Sequence, residues 1–118
     1  ARRLFGGAIL PGLRLQLRSL SIGTAALPEI TLPTQLPPRW SDNTPDSIAS
    51  GILYTVSAGV SDFIRDWQQL FPASYIIFTG GDGERLTGYL QSNLSVDLAE
   101  RVRFDQDLLF KGLSTLIF

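Results

Sequence analysis

Thr79, Gly80, Gly81, Asp82 and Gly83 are the residues whose types and spacing best suit a bound ligand. They follow Tyr75-Ile76-Ile77-Phe78, a run of bulky β-formers that reads as a strand buried on both faces. Glycine has no Cβ, so the backbone can take positive φ and come close to a bound group. A polar, glycine-rich turn at the carboxyl end of a buried strand is where open α/β sheets put their ligands. Residues 84–91 can start a helix, whose free N–H groups would point back at the same turn and favour an anion. A plain strand-to-helix turn would use the same residues. Asp82 could cap that helix or bind a metal, and capping is the simpler use.

A second polar cluster is Ser41-Asp42-Asn43-Thr44-Pro45-Asp46. It reads as a helix start: Asn43 or Thr44 as N-cap, Pro45 at the first helical position, Asp46 at the positive end of the dipole. Thr44 is open to two uses, a cap or a ligand contact. The helix is expected over 45–69, with Ile48, Ile52, Val56, Val60, Phe63 and Trp67 as its apolar face. Ser47, Gly51, Thr55 and Gly59 recur every four residues as a smooth row that would admit a second helix closely. Glycine inside a helix costs about 1 kcal/mol relative to alanine, so two in one row point to a close contact, with the parent domain or a symmetry-related subunit.

The elements that must position these clusters follow in order. Gly6-Gly7 reads as a tight turn after the end of a strand at Leu4-Phe5. Pro11 suits the first turn of a helix whose Leu13, Leu17 and Leu20 form one stripe. Arg14 and Arg18 beside it read as a solvated face, with an anion site as the lesser alternative. Residues 26–42 hold four of the seven prolines and read as an ordered surface loop, with a short extended piece at 27–32. Leu32, Leu36 and Trp40 within it call for burial, and both Trp40 and Trp67 read as core or interface. Arg101-Val102-Arg103-Phe104-Asp105 alternates as a half-exposed strand does, making a β-α-β unit with the strand at 75–79. Asp107 can cap a last helix, whose Leu109, Leu113, Leu116 and Ile117 would face the core. Asp105 and Asp107 read as capping and solvated groups.

Composition narrows the chemistry further. The chain has 118 residues, 44% of them hydrophobic, enough for one domain with a core and too apolar for a disordered segment. Ten basic and eleven acidic residues leave net charge −1, with no basic footprint for nucleic acid. No apolar run reaches the length of a membrane span, so no membrane role is expected. There is no Cys and no His, which excludes thiol nucleophiles, Ser-His-Asp triads and HExxH zinc sites. There is also no Met, so the chain reads as a piece of a longer protein. P-loop and dinucleotide fingerprints are missing as well.

Taken together, the motifs resemble the C-terminal half of a type III pantothenate kinase, within the acetate kinase/sugar kinase/Hsp70/actin superfamily. They are Gly6-Gly7-Ala8-Ile9-Leu10-Pro11-Gly12, Thr24-Ala25-Ala26-Leu27-Pro28, Asn43-Thr44 running through Ile48 to Gly51, Thr79-Gly80-Gly81, and Leu108 or Leu109 with Gly112-Leu113. Each is weak alone; their order and spacing over nearly the whole chain carry the likeness.

The resemblance implies an α/β fold, the C-terminal part of a ribonuclease H-like, actin-like ATPase domain. Its helices would pack on a small mixed sheet that is incomplete at its N-terminal edge. Residues 1–118 would be one C-terminal subdomain, without the phosphate-loop domain. It further implies ATP-dependent phosphorylation of pantothenate to 4′-phosphopantothenate in the cytoplasm, by a homodimer joined through helix 45–69, with Mg²⁺ and a monovalent cation, K⁺ or NH₄⁺. Thr44 would contact pantothenate. Thr79, Gly80 and Gly81 would line the nucleotide side, and Gly6 and Gly7 would shape the nearby junction. No catalytic and no metal-binding residue is assigned here. The family's Asp-x-Gly-Asn-Thr loop, its Gly-x-Asp-Arg segment with the catalytic aspartate, and its cation-site aspartate are all missing. Ser41-Asp42 also stands where the family has glycine before Asn-Thr. The 118 residues alone are therefore expected to be inactive. The alternative is a non-catalytic regulatory or dimerisation module on the same fold.

Overall fold

A computed structural model describes residues 6–23, 30–91 and 94–107. Its elements run α1 (Leu13–Gly23), α2 (Thr44–Leu70), β1 (Ile76–Phe78), α3 (Gly83–Gln91), α4 (Val96–Glu100) and β2 (Val102–Phe104). The expected strand at Leu4-Phe5 and the last helix after Asp107 lie outside the described residues. So do Thr24 to Pro28 of the loop motif.

Strands β1 and β2 pair in parallel, with Ile76 opposite Val102, Ile77 opposite Arg103 and Phe78 opposite Phe104. The β-α-β unit expected from the sequence is present, and the two described strands are parallel rather than mixed. Val102 is buried, Arg103 exposed and Phe104 half-buried, the alternation expected of a half-exposed strand. β1 departs from expectation. Ile76 and Phe78 are half-buried, but Ile77 is 45% exposed and Tyr75 63% exposed. The apolar run reads as doubly covered, yet α3 and the second core cluster take only one side of it. A short helix, α4, lies between α3 and β2. Ser95 caps it, accepting from the Leu98 N–H.

α2 spans about 40 Å at 1.5 Å per residue and organises two adjoining clusters. One holds Leu13, Ala49, Leu53, Val56 and Tyr89, with Leu32 and Leu36 from the loop against it. The other holds Ile64, Leu90, Leu98 and Val102, against Ile76 and Phe78 of β1. Val60 and Leu86 pack against both.

The buried seam of α2 is rotated from the one the hydrophobic pattern suggests. Ala49, Ser50, Leu53, Ser57, Ser61 and Ile64 turn inward with Ile48 and Val56, while Phe63 is 64% exposed and Trp67 lies at the surface. Trp67 instead stacks on Phe71 at 4.6 Å between centroids. Trp40 is 90% exposed, so it is no core residue. The row Ser47, Gly51, Thr55 and Gly59 is exposed, and a Cβ built at Gly51 or Gly59 would meet nothing within 4 Å. The close contact expected of that row is not made within the described chain.

α2 is also long and apolar enough to cross a membrane by length and composition, with a mean hydropathy of 1.3 over its best window. This corrects the expectation that no such stretch exists, because no charge stands between Asp46 and Asp62. A helix built into a core passes the same test, and 44% of that window is buried in the fold.

The inward serines carry a testable consequence. Ser57 is fully buried, and its Oγ finds no hydrogen-bond partner among the described residues. An unpaired buried hydroxyl costs about 1–3 kcal/mol, and alanine is the better helix former. Ser57→Ala is therefore expected to raise stability by about 1 kcal/mol, read as a higher urea midpoint at unchanged slope. A lower midpoint would mean that the hydroxyl is satisfied.

Candidate functional site

The turn after β1 keeps the geometry that its glycines allow. Gly80 has φ of 95°, a conformation costly for any residue with a Cβ. Gly83 N–H donates back to Gly80 O at 3.3 Å, and Leu86 N–H donates to Asp82 O at 2.9 Å to open α3. Thr79 Oγ1 donates to Gln106 O at 3.4 Å, and Asp105 N–H donates to Phe78 O at 2.8 Å. These bonds tie the turn to the chain leaving β2. Thr79, Gly80 and Gly81 remain exposed.

Among the described residues, the Asp82 side chain neither caps α3 nor joins a carboxylate cluster. Its Oδ1 accepts from Arg14 Nε at 2.8 Å, so Arg14 is an ion-pair partner and not merely part of a solvated face. The Arg14 side chain is 70% exposed, and such pairs contribute about 0–1 kcal/mol. The pair's importance is therefore positional. It joins the first turn of α1 to the 79–81 turn, across 68 residues of sequence. Gly12 lies at the same junction, where a Cβ would stand 3.6 Å from Asp82 Oδ2. Sequence reasoning missed this link because nothing local marks a pair so far apart. Gly6 and Gly7 are exposed upstream of that junction, and Gly6 has φ of 148°.

Thr44 sits elsewhere. Asn43, not Thr44, is the N-cap of α2, so Thr44 is the first helical residue and Pro45 the second. Asn43 Oδ1 accepts from Asp46 N–H at 2.9 Å, and Asn43 Nδ2 donates to Asp46 Oδ2 at 3.1 Å. The Asn43 side chain is thus spent on structure, a cap of about 1 kcal/mol. Thr44 is exposed and lines an open cavity of about 520 Å³ with Asp42, Asn43, Ser47, Ile48 and Gly51. The 79–81 turn does not line it. The structure therefore brings the Gly12 junction and the 79–81 turn together, and leaves Thr44 on a separate cavity. A larger apolar groove of about 690 Å³ runs along α2 past Ile9, Leu10, Thr55, Gly59 and Phe63.

The profile of type III pantothenate kinases matches residues 1–66. The chain belongs to the type III pantothenate kinase family. Curated relatives agree with the assignment. A Synechocystis protein named type III pantothenate kinase is 43% identical over 98% of this chain and 44% of its own length. A Nostoc protein of the same name is 42% identical over 98% of this chain and 42% of its own length. A Thermosynechococcus vestitus protein so named is 39% identical over 98% of this chain and 44% of its own length. The chain thus spans less than half the length of these type III pantothenate kinases. Among the described residues no group of three or more His, Cys, Asp or Glu could hold a metal ion.

Proposed function

We propose that the chain is the C-terminal subdomain, residues 1–118, of a cytoplasmic enzyme that phosphorylates pantothenate with ATP to 4′-phosphopantothenate, the first step of coenzyme A synthesis. The observation that carries this is the family match, combined with a glycine turn fixed beside the Gly12 junction. In this reading the fold is part of an actin-like ATPase domain. Thr79, Gly80 and Gly81 line the nucleotide side, Gly6 and Gly7 shape the junction, and Thr44 contacts pantothenate. The exposure of all six residues is what a ligand surface needs.

Phosphoryl transfer is mostly positioning and charge stabilisation. Mg²⁺ and a monovalent cation, K⁺ or NH₄⁺, would neutralise phosphate charge when bound. The described residues include no group of three or more His, Cys, Asp or Glu that could hold a metal ion. The part played by this chain is to shape the two ligand surfaces, so the 118 residues alone are inactive. The exposed Ser47, Gly51, Thr55 and Gly59 row on α2 supports a homodimer in which a second copy packs on that helix.

The test is ATP consumption by the intact gene product with and without pantothenate, in K⁺ and Mg²⁺, beside the 118-residue chain. Pantothenate-dependent turnover by the intact protein alone is expected. Thr44→Val keeps the shape and removes the hydroxyl, and should raise the pantothenate KM about tenfold with little change in the ATP KM. Absence of turnover from a folded, dimeric intact protein would replace this reading with a non-catalytic dimerisation module.

A further inference from the structure

Residues 30–42 carry more acceptors than donors, because Pro33, Pro37 and Pro38 have no N–H. The segment forms neither helix nor strand, so its carbonyls need donors from elsewhere. Two helices supply them. From α3, Arg85 Nη1 donates to Pro33 O at 2.9 Å, and Tyr89 Oη donates to the same carbonyl. From α2, Tyr54 Oη donates to Pro37 O at 2.7 Å, and Ser50 Oγ donates to Arg39 O at 2.6 Å. Ser47 Oγ then donates to Asn43 O at 2.7 Å, where the loop enters α2. One end of the loop is held by the helix that begins at the 79–81 turn. Its other end delivers Asn43 and Thr44.

We propose that Arg85 and Tyr89 are positioning residues for the cavity at Thr44. By holding Pro33 against α3, they set where the loop presents Thr44 relative to the 79–81 turn. The inference rests on the reading of Thr44 as the pantothenate contact. Neither residue lines that cavity, so any effect on it passes through the loop. Arg85 and Tyr89 are four residues apart and leave α3 from one face. Their two donors use both lone pairs of one carbonyl. Leu32 and Leu36 still pack on the core. Losing one donor therefore loosens the loop without releasing it.

The intact gene product is compared with its Tyr89→Phe, Arg85→Met and Arg85→Lys variants, and with Leu98→Ala as a core control away from the loop. Tyr89→Phe and Arg85→Met should speed amide exchange over residues 30–44 about tenfold, and raise the pantothenate KM by a similar factor. The ATP KM should stay within about twofold, and Arg85→Lys, which keeps a donor, should recover most of both effects. Leu98→Ala should lower stability and leave the pantothenate KM alone. Unchanged exchange in both variants removes the clamp. Faster exchange with an unchanged KM, or an equal KM rise in Leu98→Ala, removes the positioning role. If the unaltered protein does not turn over pantothenate, the functional reading fails and the positioning role falls with it. The exchange data still decide separately whether the clamp exists.

Discussion

Leu90→Ala is expected to destabilise the domain by about 2–5 kcal/mol, the largest effect of any single truncation considered. Leu90 has no exposed surface and belongs to the cluster built by Ile64 of α2, Leu98 of α4 and Val102 of β2. Removing its branched end leaves a void that three separate elements would have to move to fill, and close-packed interiors collapse only partly. The whole stability of such a domain is only about 5–15 kcal/mol, so this loss takes a large share of it. Ile77→Ala is the control, since its side chain is 45% exposed and its truncation should cost well under half as much. The check is the urea midpoint of each variant at constant slope. Equal losses at the two positions would mean that the open face of β1 is covered in the intact protein. A small loss at Leu90 would mean that the second cluster is loosely packed.

Local chemistry made several elements legible. Asn43, Pro45 and Asp46 mark the start of α2 because a cap, a fixed φ and a dipole-complementing charge act within one turn. The β-α-β order followed from the apolar run at 75–78, the helix start at 84–91 and the alternation at 101–105. The burial of β1 was not legible, because a run such as Tyr75-Ile76-Ile77-Phe78 does not state which of its faces a neighbour covers. The seam of α2 was misjudged for a related reason. Ser57 and Ser61 point inward because they are small enough for close packing, while Phe63 and Trp67 remain on an open groove. α4 is only five residues long, too short for periodicity to register. At the candidate site, the turn at 79–81 was legible from its glycines. The Arg14–Asp82 pair and the Arg85 and Tyr89 bonds to Pro33 were not, since each joins residues more than fifty positions apart.

Gly83→Ala is expected to cost up to about 2 kcal/mol net, an overpacking penalty of about 1–3 kcal/mol less the usual benefit of alanine in a helix. Gly83 is buried at the first position of α3. A Cβ there would lie 2.9 Å from Phe104 Cε1 and 3.0 Å from Phe104 Cδ1, with the Phe78 carbonyl carbon at 3.6 Å. The Phe104 ring must shift to admit that Cβ, while its backbone is held in register with Phe78 across the sheet. Alanine would improve helix propensity by about 1 kcal/mol at most, less than the overpacking costs, so the net sign is destabilising. The same contact links the sheet to the site. Gly83 N–H donates to Gly80 O, so pushing α3 away from Phe104 pulls on the 79–81 turn itself. In the intact enzyme proposed here, Gly83→Ala should therefore raise the ATP KM more than the pantothenate KM, about fivefold or more against about twofold. That is the reverse of the pattern expected for Tyr89→Phe. An equal change in both constants would show only a general loss of stability. A neutral or stabilising Gly83→Ala would show that Phe104 moves aside without cost, and that close helix–strand contact is not what holds the turn in place.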